Sequence, residues 1–99
     1  MEGFDIDHID EVIHGRIRLG IMAFLAGAGS ADFNTLKTRL QATDGNLSAH
    51  LRKLEDAGYV AVDKRFVDRK PRTTLTLTDE GRKAFTAYLD AIGKLVEGR

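Results

Sequence analysis

The stretch KRFVDRKPR (64–72) sets Lys64, Arg65, Arg69, Lys70 and Arg72 against a single acid, Asp68, for a local charge of +4. The chemistry such a cluster offers is neutralisation of a polyanion, since Lys and Arg pair with phosphate and Arg enters narrow, electronegative minor grooves. Charge placed only to protect a strand edge would be of mixed sign. A second set lies just upstream in TDGNLSAHLRKLEDAGYV (43–60). On an ideal helix with Leu47 at zero, Leu51 falls at about 40° and Leu54 at about 340°, which defines a buried side. Ser48, Arg52, Ala49, Lys53 and Asn46 then fall at about 100°, 140°, 200°, 240° and 260°, around the opposite direction. A helix seated in a major groove needs small residues at the floor and hydrogen-bonding ones at base edges and phosphates. Gly45, Ser48 and Ala49 are small; Asn46 matches adenine, Arg52 guanine or phosphate, and Lys53 phosphate. His50, at about 300°, belongs to the edge of the core stripe rather than to the contact face.

Other chemistry finds less support. In DIDHIDEVIH, His8, Glu11 and His14 recur every third residue beside Asp7 and Asp10. Each i, i+3 step drifts by about 60° on a helix, so three ligands spaced this way do not converge on one metal. A solvated acidic helix start is the expected role, with no metal or cofactor. No nucleophile elbow, phosphate-cradling glycine loop or zinc motif appears, and a chain of 99 residues leaves little room for a substrate pocket. The expectation is a protein that is not an enzyme.

Composition is that of a soluble globular domain, 42% hydrophobic and 30% charged, without cysteine. Disulfide scaffolds, thiolate metal sites and thiol redox sensing are thereby excluded. The acidic, interrupted start lacks the pattern of a signal peptide, and LGIMAFLAGAG (19–29) is too short to span a bilayer, so no membrane association and a cytoplasmic location are expected. Net charge is zero, yet residues 1–36 sum to −4, 37–72 to +4 and 73–99 to zero. The positive charge is concentrated in the middle of the chain, where both candidate contact sets lie.

The elements that must position these sets follow from periodicity. Ile9, Val12, Ile13, Ile17, Ile21, Phe24 and Leu25 predict a first helix from about Asp7 to Ala26. Residues 31–33 are long enough only for a bridging strand. Asn34 is expected to cap a helix over TLKTRLQA, and Thr43 or Asp44 the next, Gly45 to Ala57, closed by Gly58 in the left-handed conformation. Val60, Val62 and Phe66 then alternate with polar residues as in a half-buried strand, DRKPR breaks it at Pro71, and TTLTLT resumes it. Thr78 caps a final helix. With no repeat or linker, residues 1–99 read as one domain of α+β class, mostly helical: helix, short strand, helix, helix, two-stranded hairpin, helix.

The segments NLSAHLRKLEDAGYV and RKPRTTLTLTDEGRKAF, with KRF between them, resemble the winged helix-turn-helix transcriptional regulators, most closely the compact single-domain group related to the MarR and ArsR families. The resemblance runs from about Asp32 to Phe85. It implies that the 44–57 helix enters the major groove and that the 64–72 hairpin is a wing on the backbone or minor groove. It also implies a dimer through the first and last helices (about 5–27 and 78–97). Ile9, Ile13, Phe85, Tyr88, Leu89, Ile92, Leu95 and Val96 are the expected interface, and a pseudo-palindromic operator in double-stranded DNA the partner. Repression by blocking polymerase is the simplest mechanism, and no motif marks an effector. The competing reading is a winged-helix protein-interaction module, because fold alone does not fix function.

Overall fold

Three leucines of one helix, two isoleucines of another and two leucines of a hairpin meet in one core, and the chain order brings them together. The computed structural model describes residues 6–97; residues 1–5 and 98–99, and with them the expected start of the first helix at about residue 5, lie outside the described residues. A 3-10 turn (Ile6–His8) leads to α1 (Arg16–Ala28), β1 (Ser30–Asp32), α2 (Phe33–Leu40), α3 (Asp44–Asp56), β2 (Val60–Val67), β3 (Lys70–Leu77) and α4 (Asp79–Glu97). The strands form one antiparallel sheet in the order β1-β3-β2. This is the expected winged-helix order of elements. Ile13, Ile21, Met22, Leu25, Leu36, Leu47, Leu54 and Leu75 are fully buried at its centre. Each such side chain contributes roughly 1.5–3 kcal/mol relative to exposure.

The first helix is shorter than its periodicity predicts. It begins only at Arg16, because Gly15 stands at φ +143°, a conformation open to glycine and foreign to a helix. Ile9 and Ile13 still reach the core, carried by an irregular segment that polar contacts hold in place. Asp10 accepts from the Val12 N–H at 2.9 Å and from the Tyr59 hydroxyl at 2.6 Å. Arg18 donates from Nε to the Val12 carbonyl at 2.6 Å and from Nη2 to the carbonyls of Glu11 and His14.

Two further boundaries move. Asp32, not Asn34, caps α2: its carboxylate accepts from the Thr35 N–H at 2.7 Å. Strand β1 runs directly into the helix, so the last extended residue is the one whose side chain reaches the third helical N–H. That bond, a second from the Thr35 side chain and the Arg72 charge hold Asp32 below the usual carboxylate pKa. Pro71 does not break the strand either: β3 includes it. Its pairing with Phe66 is part of a ladder that continues to Val67 and Lys70. Those last two residues flank a two-residue turn, so Phe66–Pro71 is the neighbouring non-hydrogen-bonded pair, where β2 requires no N–H. On its other side β3 is paired only from Thr74 to Thr76, so no ladder bond is lost there. The turn itself, Asp68 and Arg69 at φ +51° and +68°, is of the twisted kind that suits a hairpin.

α4 is seated by its N-terminus. Thr78 Oγ1 accepts from the Gly81 N–H at 2.9 Å and donates to the Gly58 carbonyl at 2.6 Å, while the Thr78 N–H donates to the Tyr59 carbonyl at 3.0 Å. Gly58 closes α3 at φ +83°, as its position after Ala57 predicts. The end of the third helix and the start of the fourth are thus stitched together.

Candidate nucleic-acid interface

α3 separates its two faces as the helical spacing requires. Leu47, Leu51 and Leu54 are buried, while Gly45, Asn46, Ser48, Ala49, Arg52 and Lys53 are all exposed. Thr43 is the cap, accepting from the Asn46 N–H at 3.1 Å. Asp44 is not the capping group; it forms an ion pair with Lys37 at 2.7 Å, which offsets its charge near the helix N-terminus. His50 is a half-buried anchor whose Nδ1 lies 2.9 Å from Arg18 Nη1. A guanidinium only donates, so Nδ1 accepts and carries no proton. Burial first, then the Arg18 and Lys53 charges, push the His50 pKa down.

The wing distributes its cations over two faces. In an antiparallel pair directly opposed residues share a face. Val60–Leu77, Val62–Leu75, Lys64–Thr73 and Phe66–Pro71 therefore lie on one side, and Asp63–Thr74, Arg65–Arg72 and Val67–Lys70 on the other. The first side runs from the core outward over α3. A cleft of about 330 Å³ between them is lined by Ser48, Arg52 and Glu55 of α3 and by Val62, Lys64 and Thr73 of the wing. On the second side Arg65 and Arg72 oppose each other, and Asp63 tempers the repulsion through an ion pair with Arg65 at 2.7 Å. Lys70 and Arg72 also line a larger cleft, about 570 Å³, between the wing and the start of α2. Arg69 occupies the turn.

Of the residues singled out in the sequence, Ser48, Arg52 and Lys64 are thus brought to one cleft. Lys53 sits on the other flank of α3, near Glu11, Arg18 and Asp56. Residue types and helical spacing did not reveal Phe66 as a surface group: expected to be half-buried, it is 80% exposed. Its position two residues before the turn was the available signal, since the far end of a hairpin extends past the domain that covers its base. Arg18 was equally silent, because its partners are backbone carbonyls and the ring of His50, thirty-two residues away.

Among the expected interface residues, Ile9, Ile13 and Tyr88 are buried within the chain's own core. Tyr88 packs beside Phe85, and its hydroxyl lies 2.9 Å from His14 Nδ1, so one of the residues weighed as a metal ligand has a structural partner. Phe85, Ile92 and Leu95 are half-buried, and Leu89 and Val96 are exposed at 52% and 82%. These five keep solvent-accessible apolar area. Among the described residues no helix is long and apolar enough to cross a membrane.

Known proteins share this arrangement over nearly the whole chain. An uncharacterised protein of Methanocaldococcus jannaschii is 38% identical over 85 residues, covering 86% of this chain and 92% of that protein. The structure of a transcriptional regulator homologue from Pyrococcus horikoshii OT3 superposes with a TM-score of 0.89 at 34% identity, over 99% of this chain and 97% of that one. NadR, solved in complex with 4-hydroxyphenylacetate, matches with a TM-score of 0.72 at 25% identity, over 93% of this chain and 64% of its own. The resemblance to winged-helix transcriptional regulators implied by the sequence holds, and an ArsR family transcriptional regulator shares the fold with a TM-score of 0.63 at 21% identity. Residues 17–96, which contain the helix-turn-helix, the wing and nearly all of α4, match the model of one family, and the chain belongs to it: the winged helix DNA-binding domain family.

Proposed function

We propose that this DNA-binding regulator reads a specific double-stranded operator as a homodimer in the cytoplasm, without catalytic activity, and represses by occupying its site. The observation that carries the reading is the juxtaposition of the exposed α3 face with the cationic wing across the cleft lined by Ser48, Arg52 and Lys64. With α3 in a major groove, Asn46 and Arg52 supply base contacts while Gly45, Ser48 and Ala49 allow close approach. Lys53 and Lys64 meet phosphate from the two flanks. Arg65, Arg69, Lys70 and Arg72 follow the backbone into the adjacent minor groove. Leu89 and Val96, with Phe85, Ile92 and Leu95, pair α4 with a second copy, placing two recognition helices roughly 34 Å apart on a pseudo-palindromic site.

The test is binding to duplexes recovered by in vitro selection, and to random duplex, across a salt series. Affinity falls with log[salt] by about 0.9 per phosphate neutralised. Arg69→Ala or Lys70→Ala weakens binding to both duplexes and lowers that slope by about one. Arg52→Ala or Asn46→Ala instead costs roughly 1–3 kcal/mol at one base position of the selected site. Weak, salt-independent binding would favour the protein-interaction module. Leu89→Glu with Val96→Glu shifts sedimentation from dimer to monomer; a wild-type monomer that stays monomeric on DNA would refute the dimer.

A further inference from the structure

The wing ends in an aromatic that folding does not require. Phe66 is 80% exposed, and the ring's cross-strand neighbour is Pro71, itself exposed. By strand geometry it stands one side-chain step, roughly 7 Å, beyond the Lys64–Thr73 pair that borders the α3 cleft, and on the same face. On the same face Lys64 stands one step behind it, Arg69 occupies the turn just beyond, and Arg65, Lys70 and Arg72 lie on the opposite face of the same two-stranded wing. An exposed aromatic on a protein-binding surface calls for an apolar rim, whereas beyond Pro71 this one has Lys64 behind it, Arg69 in the turn ahead and further cations on the reverse of the hairpin. A partner that offers an apolar surface between two rows of negative charge satisfies both, and the minor groove has that form where a base step opens: sugars line its walls, phosphates its rims, and the exposed base faces supply the apolar surface.

We infer that Phe66, backed by Pro71, is a wedge that enters the minor groove beside the α3 site and partly unstacks a base step, while the flanking cations hold the phosphates on either side. This rests on the DNA-binding reading above and adds a residue and a deformation to it. Insertion of an apolar side chain at a base step kinks the duplex, and flexible pyrimidine–purine steps kink most readily. The wing would thereby select sequence by deformability at positions where it makes no hydrogen bond to a base.

The experiment uses the full chain and a duplex recovered by in vitro selection with the wild-type protein, carrying 2-aminopurine in turn at each adenine flanking the half-sites and a donor–acceptor dye pair at its ends. The wild type raises 2-aminopurine fluorescence at one flanking step and shortens the end-to-end distance. Phe66→Ala melts like the wild type, since the ring is exposed, binds about tenfold more weakly, and loses both the fluorescence rise and the bend. Phe66→Leu, still an apolar wedge, keeps the bend. Wild-type unstacking and affinity in Phe66→Ala would overturn the wedge while leaving the DNA-binding reading intact. A Phe66→Ala protein that binds weakly because its sedimentation has changed would assign the ring to contact between copies instead. Failure of the wild type to retain any duplex would overturn both readings together.

Discussion

Gly81 allows a quantitative test of how α4 is fixed to the domain. A methyl group built there meets the Tyr59 carbonyl oxygen at 2.1 Å and Leu77 Cδ1 at 2.9 Å, whereas real side-chain β-carbons stay beyond 3.0 Å. Gly81→Ala therefore forces the helix start back by about 1 Å. The obstacle is backbone, so rotation of a side chain cannot relieve it. Overpacking of this kind costs up to about 3 kcal/mol. The Thr78 N–H bond to the same Tyr59 carbonyl, 3.0 Å long, is stretched as the helix retreats, adding roughly 1 kcal/mol. Alanine's better helix propensity returns about 1 kcal/mol. The net is a loss of about 3 kcal/mol, or roughly 12–24 °C in Tm for a domain of this size. Thermal melts followed by far-UV circular dichroism, at matched protein concentration because assembly also stabilises, measure it. Two glycines act as internal standards. At Gly27 a methyl meets nothing within 4 Å, and alanine there raises stability by roughly 0.5–1 kcal/mol. At Gly20 the obstacle is a terminal methyl of Leu40 at 2.6 Å, which can rotate away, so the change stays within about 1 kcal/mol. A Gly81→Ala protein within about 0.5 kcal/mol of the wild type would refute the close-approach account.

The Arg18–His50 contact makes stability depend on pH in a known direction. His50 is held neutral with its pKa below the ordinary value, so the unfolded chain takes up the proton first. The stabilisation is fully present above about pH 6.5 and is lost as pH falls through the lowered pKa. Melting temperature should drop less between about pH 7.5 and 5.5 in His50→Gln than in the wild type; identical slopes would show that the contact does not matter. Tyr59, whose hydroxyl donates to Asp10, has its pKa raised to about 12 by that bond, by burial and by the Asp10 and Glu80 charges. Its contribution is full below about pH 10 and is lost as pH rises from there through the raised value of about 12. Tyr59→Phe should cost about 1–2 kcal/mol in denaturant titration, allowing for the partial exposure of the pair, and should remove the late-titrating phenolate from the ultraviolet titration.

Much of the fold was legible because local rules and tertiary packing agree in most of the chain. Leu47, Leu51 and Leu54 repeat at helical spacing and are buried; Gly58 stands where a helix must stop, and Thr78 where one must start. Where reading failed, a distant partner had overridden the local pattern. The apolar spacing from Ile9 to Ile17 looks helical because those residues do face one core, yet Gly15 and the Arg18 and Tyr59 hydrogen bonds hold most of it in an irregular form. Asn34 lost the cap to Asp32 because strand pairing with Thr74 set where the extended chain ends. Pro71 was admitted to a ladder because register placed it at a pair that requires no N–H.

The same division applies to the candidate site. Sequence by itself determined which residues could contact DNA: side-chain type and a period of about 3.6 residues separate the outer face of α3 from its leucines, and charge counting along the chain finds the wing. Only the tertiary structure decided how they are grouped. It brought Lys64 across from Ser48 and Arg52, placed Arg65 and Arg72 on the opposite face of the hairpin, buried Ile9, Ile13 and Tyr88 inside the chain, and left Phe66 in the open. The physical reason is that alternation assigns a strand residue to one of two faces, but what covers that face is set by the distance to the next element. At the far end of the wing no described residue covers the Phe66 ring.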